Sequence, residues 1–322
     1  MVLVFIAAMA IATIAGTTIW IVQRSSQWHR ESLAQLAATS RVAATSAGEV
    51  EYALIGTGRP ILISHGIMGG FDQSVVASEL ILGPGKQGIA VSRFGYLRSP
   101  LSNGRKTPEE QADAYAALLD QLGIEAAPVI GISGGGPAAL QFALRYPRRC
   151  SAVILISAVT HRVPQLLRAA IIPYFRALIV SDAASWLMNA IYWRWPSAVL
   201  LQALSREERR SRPTAAEKRE AIRLMATSVP MRPRWAGLTN DAEFLMSLET
   251  YPLETLRVPT LIVHGTRDSI VPLSHAEYAA SSIPNAALMR LEGAGHFGAF
   301  LRPEETRLRI AEFLNGKQEE RG

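Results

Sequence analysis

Apolar and polar positions recur along this chain with three different patterns, and each predicts a different kind of element. Residues 2–22 carry no charged side chain, a run long enough for a helix that crosses a bilayer. Residues 49–55 alternate with period two, Val50, Tyr52 and Leu54 sharing one face, which predicts a half-buried strand. The short runs 61–64, 88–93, 127–132, 151–157 and 260–263 predict buried strands, and 287–291 predicts a further strand. Helical spacing predicts helices over 73–80, 108–122, 137–146, 274–282 and 303–314. Asp72 is placed to cap the first of these, and Thr107 with Glu110 forms a capping box at the second. Strands that alternate with helices predict an α/β fold whose mostly parallel sheet is covered on both faces. No internal repeat is present.

Between the strands at 151–157 and 260–263 the pattern changes. Residues 159–257 show helical periodicity broken by prolines and predict a helical cap inserted between two parts of a sheet domain, 49–158 and 258–322. Residues 161–235 hold thirteen Lys and Arg against five Asp and Glu in a chain of net charge +6, so the remainder is slightly acidic. No stretch has a nucleic-acid module pattern, and nucleic acid is not expected as a partner. The basic excess reads first as a solvated face, then as a contact for an anionic membrane surface or substrate.

The N-terminal run has two readings. Trp20 lies near its end and Arg24, Trp28 and Arg30 follow, a suitable interfacial flank. No Lys or Arg precedes the run and no cleavage site follows it, so residues 1–24 are expected to be an uncleaved single-pass membrane anchor. Export after signal-peptide cleavage is the alternative. Basic residues C-terminal to the span place the body on the cytoplasmic side. Residues 25–48, rich in Ala, Ser and Thr, read as a linker.

Composition narrows the chemistry. Apolar residues make up 49% of the 322, ample for a core. The single cysteine, Cys150, opens an apolar run and reads as a buried hydrophobe; no disulfide can form within the chain. No metal-ligand spacing occurs, and Gly134-Gly135-Gly136 lacks the Gly-Lys-Ser/Thr of a phosphate loop, so neither metal nor cofactor is expected.

Gly131-Ile132-Ser133-Gly134-Gly135 lies between a buried strand and a helix that carries proline in its first turn. A serine on so tight a turn stands clear of the sheet, with backbone N–H groups at the helix N-terminus aimed at developing negative charge. Its hydroxyl needs a base, and the base needs a partner that fixes its tautomer. Asp268 follows the strand at 260–263 and His296 the strand at 287–291, so both fall on strand ends at the same sheet edge as Ser133. His65 and His264 read as structural hydrogen-bonders, and His161 and His275 as surface or cap residues. Asp182 and Asp241 lie in the cap, away from the triad acid's place, and Asp113 and Asp120 read as solvated helix positions.

With these residues in order, residues 49–314 resemble the α/β-hydrolase family with a cap. The resemblance implies Ser133 as nucleophile, His296 as general base and then acid, and Asp268 as orienting carboxylate. It implies backbone N–H groups of Ile67 and Gly134 as the oxyanion hole, with His65, Gly66, Gly131 and Gly135 in the supporting loops. It further implies a serine esterase or lipase-like hydrolase acting on a small, hydrophobic acyl substrate. Thioesterase, lactonase, amidase or peptidase, carbon–carbon hydrolase and a non-hydrolytic binding protein are the alternatives. The chain departs from the family at residues 92–99, where many relatives carry Asp-x-x-Gly-x-Gly-x-Ser: Ser92 stands for the Asp and Leu97 for the second Gly. The elbow also lacks a bulky residue at Gly134. Apolar cap positions at 166–167, 171–172, 174–175, 178–179, 186–187, 191–193 and 195 are expected mainly to pack the cap. A part of them is expected to line a pocket over Ser133, and the mixture Tyr192-Trp193-Arg194-Trp195 also suits a bilayer surface.

Overall fold

The doubly apolar runs pair into one sheet because only burial on both faces satisfies them. The computed structural model describes residues 1–101, 104, 106–162, 176, 180–210 and 214–319. Its strands are β1 (Arg41–Thr45), β2 (Gly48–Gly56), β3 (Arg59–Ser64), β4 (Lys86–Val91), β5 (Ala127–Ile132), β6 (Cys150–Ile156), β7 (Thr260–Gly265) and β8 (Ala286–Leu291). They form an eight-stranded sheet ordered β1-β2-β4-β3-β5-β6-β7-β8. β1–β2 and β2–β4 pair antiparallel, and every other pair is parallel. The fold is therefore that of an α/β hydrolase, mostly parallel as the periodicity predicts.

Period-two alternation divides each central strand between two cores. Leu62, Val129, Val153 and Ile262 face helices α3 (Pro108–Gln121) and α4 (Gly136–Arg145), which bury Tyr115, Leu118, Leu140 and Phe142. Ile63, Ile130, Ile154 and Val263 face α2 (Phe71–Ile81), whose Ala77 and Ile81 are buried. α3 begins at the expected capping box: Thr107 Oγ1 accepts from Glu110 N–H at 3.3 Å, and Glu110 Oε2 accepts from Thr107 N–H at 2.9 Å. Loss of such a cap costs about 1 kcal/mol.

Three local expectations are corrected. Residues 25–48 are no linker: α1 runs unbroken over Val2–Ala38, and β1 follows as an edge strand of the sheet. The Ala-rich stretch favours helix, and the second half of α1 gains tertiary contacts, burying Ser25 and His29 and setting Trp28 against the cap. Its 37 residues span about 55 Å at 1.5 Å per residue, more than a bilayer's hydrocarbon core. The first 22 residues project almost wholly exposed, a length and composition that a membrane helix and a signal sequence share. Second, α2 is capped by Gly70, with Asp72 inside the first turn. Ser92 Oγ already accepts from Phe71 N–H at 2.9 Å, which frees Asp72 to bind the buried Arg234 guanidinium at 2.7 and 3.0 Å. Third, β2 does not simply alternate: Glu51 is 1% exposed and Leu54 is 40% exposed, because the 92–99 loop and the end of α1 cover what was to be the polar face.

Between β6 and β7 the described residues form α5 (Asp182–Arg194), α6 (Pro196–Ala203), α7 (Arg206–Arg210), α8 (Ala215–Ala226) and α9 (Trp235–Met246). Tyr192, Leu200, Ala221, Ile222 and Val229 form a small core of their own that meets the sheet domain at Leu301. The last part of the interval is not cap, since Leu245, Leu248, Leu253 and Val258 join the main core under the sheet. The apolar positions expected at 166–167, 171–175 and 178–179 lie outside the described residues. Helices α10 (Ser274–Ser282), α11 (Gly298–Leu301) and α12 (Pro303–Glu319) complete the chain.

Candidate active site

Ser133 follows the last residue of β5 with φ +49°, a left-handed backbone that a non-glycine residue holds only under strain. Close packing enforces it. A Cβ on Gly131 would stand 2.8 Å from Ala139 Cβ, and one on Gly135 would strike the Ser64 and His65 carbonyl oxygens. The glycines thus let β5, the turn and α4 approach closely, with the N-terminus of α4 beneath the serine.

The three residues expected from separate loops converge. His296 Nε2 lies 3.1 Å from Ser133 Oγ, and His296 Nδ1 lies 2.7 Å from Asp268 Oδ2. Asp268 Oδ1 also accepts from the Ile270 and Val271 N–H groups, each at 2.9 Å. Burial alone would raise the Asp268 pKa, but hydrogen bonds from His264 and His296 outweigh it and hold the carboxyl below the usual carboxylate range. An ionised Asp268 accepts a hydrogen bond from Nδ1–H, which fixes the tautomer whose Nε2 lone pair faces the serine hydroxyl. His264 lies behind, its Nε2 2.9 Å from the Val271 carbonyl and 3.4 Å from Asp268 Oδ2.

The loop after β3 faces the elbow. A Cβ on Gly134 would stand 2.5 Å from Ile67 Cγ1 and 3.4 Å from Ile67 N, so these two backbones adjoin beside Ser133. Gln73 Oε1 accepts from Gly66 N–H at 2.8 Å. His65 accepts at Nε2 from Arg93 N–H (2.9 Å) and donates from Nδ1 to the Gly66 carbonyl (2.7 Å). Burial, then the Arg93 charge, pushes the His65 pKa well below that of free histidine, so it is a structural residue.

Reading the sequence missed what holds this loop. Arg93, buried two residues beyond β4, donates from Nε to the His65 carbonyl (3.0 Å) and from Nη2 to the Gly66 carbonyl (3.2 Å). Its guanidinium also grips Asp241 of α9 bidentately at 2.7 and 2.6 Å, and Tyr96 OH donates to the same carboxylate at 2.6 Å. Arg234, fully buried at the entrance to α9, donates to the Gly69 carbonyl at 2.7 Å besides binding Asp72. Two arginines thus tie the 65–72 loop to one segment of the insertion. The available signal was a charged residue closing a doubly apolar strand, with nothing local to neutralise it.

The departure at 92–99 is made good by β2. Glu51 accepts from Ser92 Oγ (3.0 Å), Arg98 N–H (3.1 Å) and Arg98 Nε (2.7 Å), which supplies the carboxylate that Ser92 lacks. Leu97 adopts φ +53° where the family has glycine, and its N–H donates to the Pro233 carbonyl at 2.8 Å.

A cavity of about 290 Å³ opens over the serine, walled by Ile67, Met68, Leu224, Met225, Ile270, Phe297 and Phe300, with Tyr192 reaching in from the cap. Among the described cap aromatics Tyr192 alone lines it; Trp193 and Trp195 are exposed. Other titratable residues stand elsewhere. Asp113 pairs with Arg145, Asp120 with Arg149, and Asp182 with Arg232. His275 is not a surface residue: α10 packs it under the chain leaving β6, where Nδ1 accepts from Thr160 N–H and the ring stacks on His161 at 3.7 Å. Burial first, then the nearby His161 and His264, pushes its pKa down to about 4. Cys150 is buried, as expected. Among the described residues no cluster suits a metal ion.

A sheet of this order with the serine turn at its centre defines an α/β hydrolase, and comparison with known proteins agrees. A family profile described as alpha/beta hydrolase fold matches residues 59–303, so the chain belongs to that family of hydrolases. It is 31% identical to the uncharacterised hydrolase YcgS of Bacillus subtilis over 264 residues, 77% of this chain and 88% of that protein. It is 30% identical over 206 residues to the pimeloyl-[acyl-carrier protein] methyl ester esterase of Aromatoleum aromaticum, covering 62% and 78% of the two chains. An alpha/beta hydrolase fold protein from Nakamurella multipartita superposes with a TM-score of 0.76 at 30% identity, covering 85% of this chain and 98% of that one.

Proposed function

We propose that the protein is a serine hydrolase that cleaves an ester bond of a small, apolar substrate. The observation that carries this is the relay from Ser133 through His296 to Asp268, 3.1 and 2.7 Å, opening on an apolar cavity. Ser133 Oγ attacks the acyl carbonyl while His296 Nε2 takes its proton. The carbonyl oxygen becomes an oxyanion beside the backbone N–H groups of Ile67 and Gly134, at the positive end of α4. His296 returns the proton to the leaving alcohol, and an acyl-enzyme remains on Ser133. Water then gives a proton to His296 as it attacks the acyl carbon, and His296 returns that proton to Ser133 Oγ as the acid is released. Asp268 stays ionised throughout, holding the tautomer and stabilising the imidazolium.

Few polar groups besides the relay line the cavity, which favours an uncharged acyl group. The esterase among the relatives supports the same reading. The exposed charge-free half of α1 supports a single-pass membrane anchor that keeps the hydrolase beside a bilayer. A series of p-nitrophenyl esters of increasing acyl length tests the substrate class: turnover should fall once the chain outgrows the cavity. Ser133→Ala should lose both turnover and labelling by a fluorophosphonate. Saturable ligand binding with no hydrolysis by the native protein would instead indicate a binding protein.

A further inference from the structure

α5 is mostly apolar, and Asp182 at its start is paired with Arg232. From Ala183 to Trp195 its one charged residue is Arg194. One side of the helix is accounted for: Ser185 and Tyr192 are buried, Ser185 Oγ accepting from Met231 N–H at 3.1 Å and Tyr192 OH bonding Ser228 Oγ at 3.1 Å over the catalytic cavity. The opposite side ought to be polar in a helix that faces water. It carries Arg194 alone as a charge: Leu187 is 54% exposed and Ala190 is exposed beside it, Met188 (38%) and Trp193 (51%) lie on the two flanks, and Trp195 (55%) follows the helix.

Trp186 packs edge-to-face on Trp20 of α1, with ring centroids 5.9 Å apart. Trp20 stands two residues before the end of the charge-free run, the level at which tryptophans of a membrane helix meet the headgroups. That contact sets α5 at the same level. Arg194, stacked at 5.9 Å on the Trp195 ring, adds a cation beside the apolar surface, and the surrounding 161–235 segment carries a large basic excess. Aromatic and aliphatic side chains with arginine on one helix are what an interfacial helix presents to an anionic bilayer.

We propose that the outward face of α5, together with Trp195, docks on the bilayer interface beside α1. The helix that walls the catalytic cavity through Tyr192 is then itself in contact with lipid, and a membrane-dissolved ester reaches Ser133 past α5 rather than through bulk water. The proposal rests on α1 being an anchor, so the test reads the two separately.

Full-length protein, one copy per nanodisc of phosphatidylcholine and phosphatidylglycerol, carries an environment-sensitive fluorophore at a single introduced cysteine: Met9→Cys in α1, Leu187→Cys or Trp195→Cys on the docking face, Leu308→Cys on α12. Native Cys150, 2% exposed with its thiol pKa raised by burial, escapes labelling. Emission of the labels at 9, 187 and 195 should be blue-shifted by the bilayer and quenched by lipid-borne nitroxide, while aqueous iodide quenches the label at 308. Lipid quenching at 9 with iodide quenching at 187 and 195 overturns the docking face and leaves the anchor. Iodide quenching at 9 overturns both. Labels at 187 and 195 shielded from iodide and from lipid nitroxide alike mean that protein covers the face, which also overturns the proposal.

Discussion

Removal of the Asp241 carboxylate should damage both stability and turnover, and the bonds it makes set the size of each effect. Asp241 and Arg93 are each under 10% exposed, and three hydrogen bonds of 2.6–2.7 Å end on the carboxylate. Asp241→Leu strands a buried guanidinium, a loss of about 3–5 kcal/mol. In a domain of this size that lowers the thermal midpoint by about 10 °C. Arg93 keeps its bonds to the His65 and Gly66 carbonyls but loses the partner that aims it, so the Ile67 N–H shifts without disappearing. Outright removal of an oxyanion donor costs about 10²–10³ in kcat, and displacement should cost about 10–100-fold with KM little changed. The assay is a double-mutant cycle: Asp241→Leu, Arg93→Met and the pair, each followed by circular-dichroism melting and by kcat and KM on a water-soluble ester. The pair should be several kcal/mol more stable than the sum of the single changes, because no charge is left buried. Additive losses would refute a direct coupling between the insertion and the 65–72 loop.

Three further outcomes follow from the site. Ser133→Gly should abolish turnover yet raise stability by about 0.5–1 kcal/mol, since glycine adopts φ +49° without strain; a destabilised variant in urea melts would contradict a strained elbow. Gly135→Ala should destabilise by about 2–4 kcal/mol, because its Cβ meets two backbone oxygens that cannot turn aside, and melting to within 1 °C of the native protein would argue against that packing. His275 makes stability depend on pH. Its folded pKa of about 4 lies below the unfolded value of about 6.5, so its contribution is complete above pH 6.5 and drains away as pH falls toward 4. His275→Gln should flatten the melting-point profile between pH 6.5 and 4, and an unchanged slope there would assign the acid sensitivity elsewhere.

Much of the fold was legible because its signals are local. A strand buried on both faces must be apolar at successive positions, a helix start must satisfy its own N–H groups, and a nucleophile turn needs glycines within two residues. Such constraints act over a few residues and leave a pattern in the chain, as at Thr107–Glu110, 127–132 and Gly131–Gly135. The order Ser133, Asp268, His296 was readable for the same reason, since each residue closes a recognisable strand. What was misread depended on neighbours distant in the chain. Residues 25–38 look like a linker until the cap stands beside them, and His275 looks exposed until α10 packs under β6.

The sequence alone therefore determined the element types, the parallel sheet and the three residues of the relay. Only the tertiary structure decided what keeps that relay in register: Glu51 in place of a missing aspartate, Arg93 against Asp241, Arg234 against Asp72, and α5 held beside α1. Arg93 and Asp241 are 148 positions apart. A charge buried at one place needs an opposite charge nearby in space, but nothing in electrostatics says where along the chain that partner must come from.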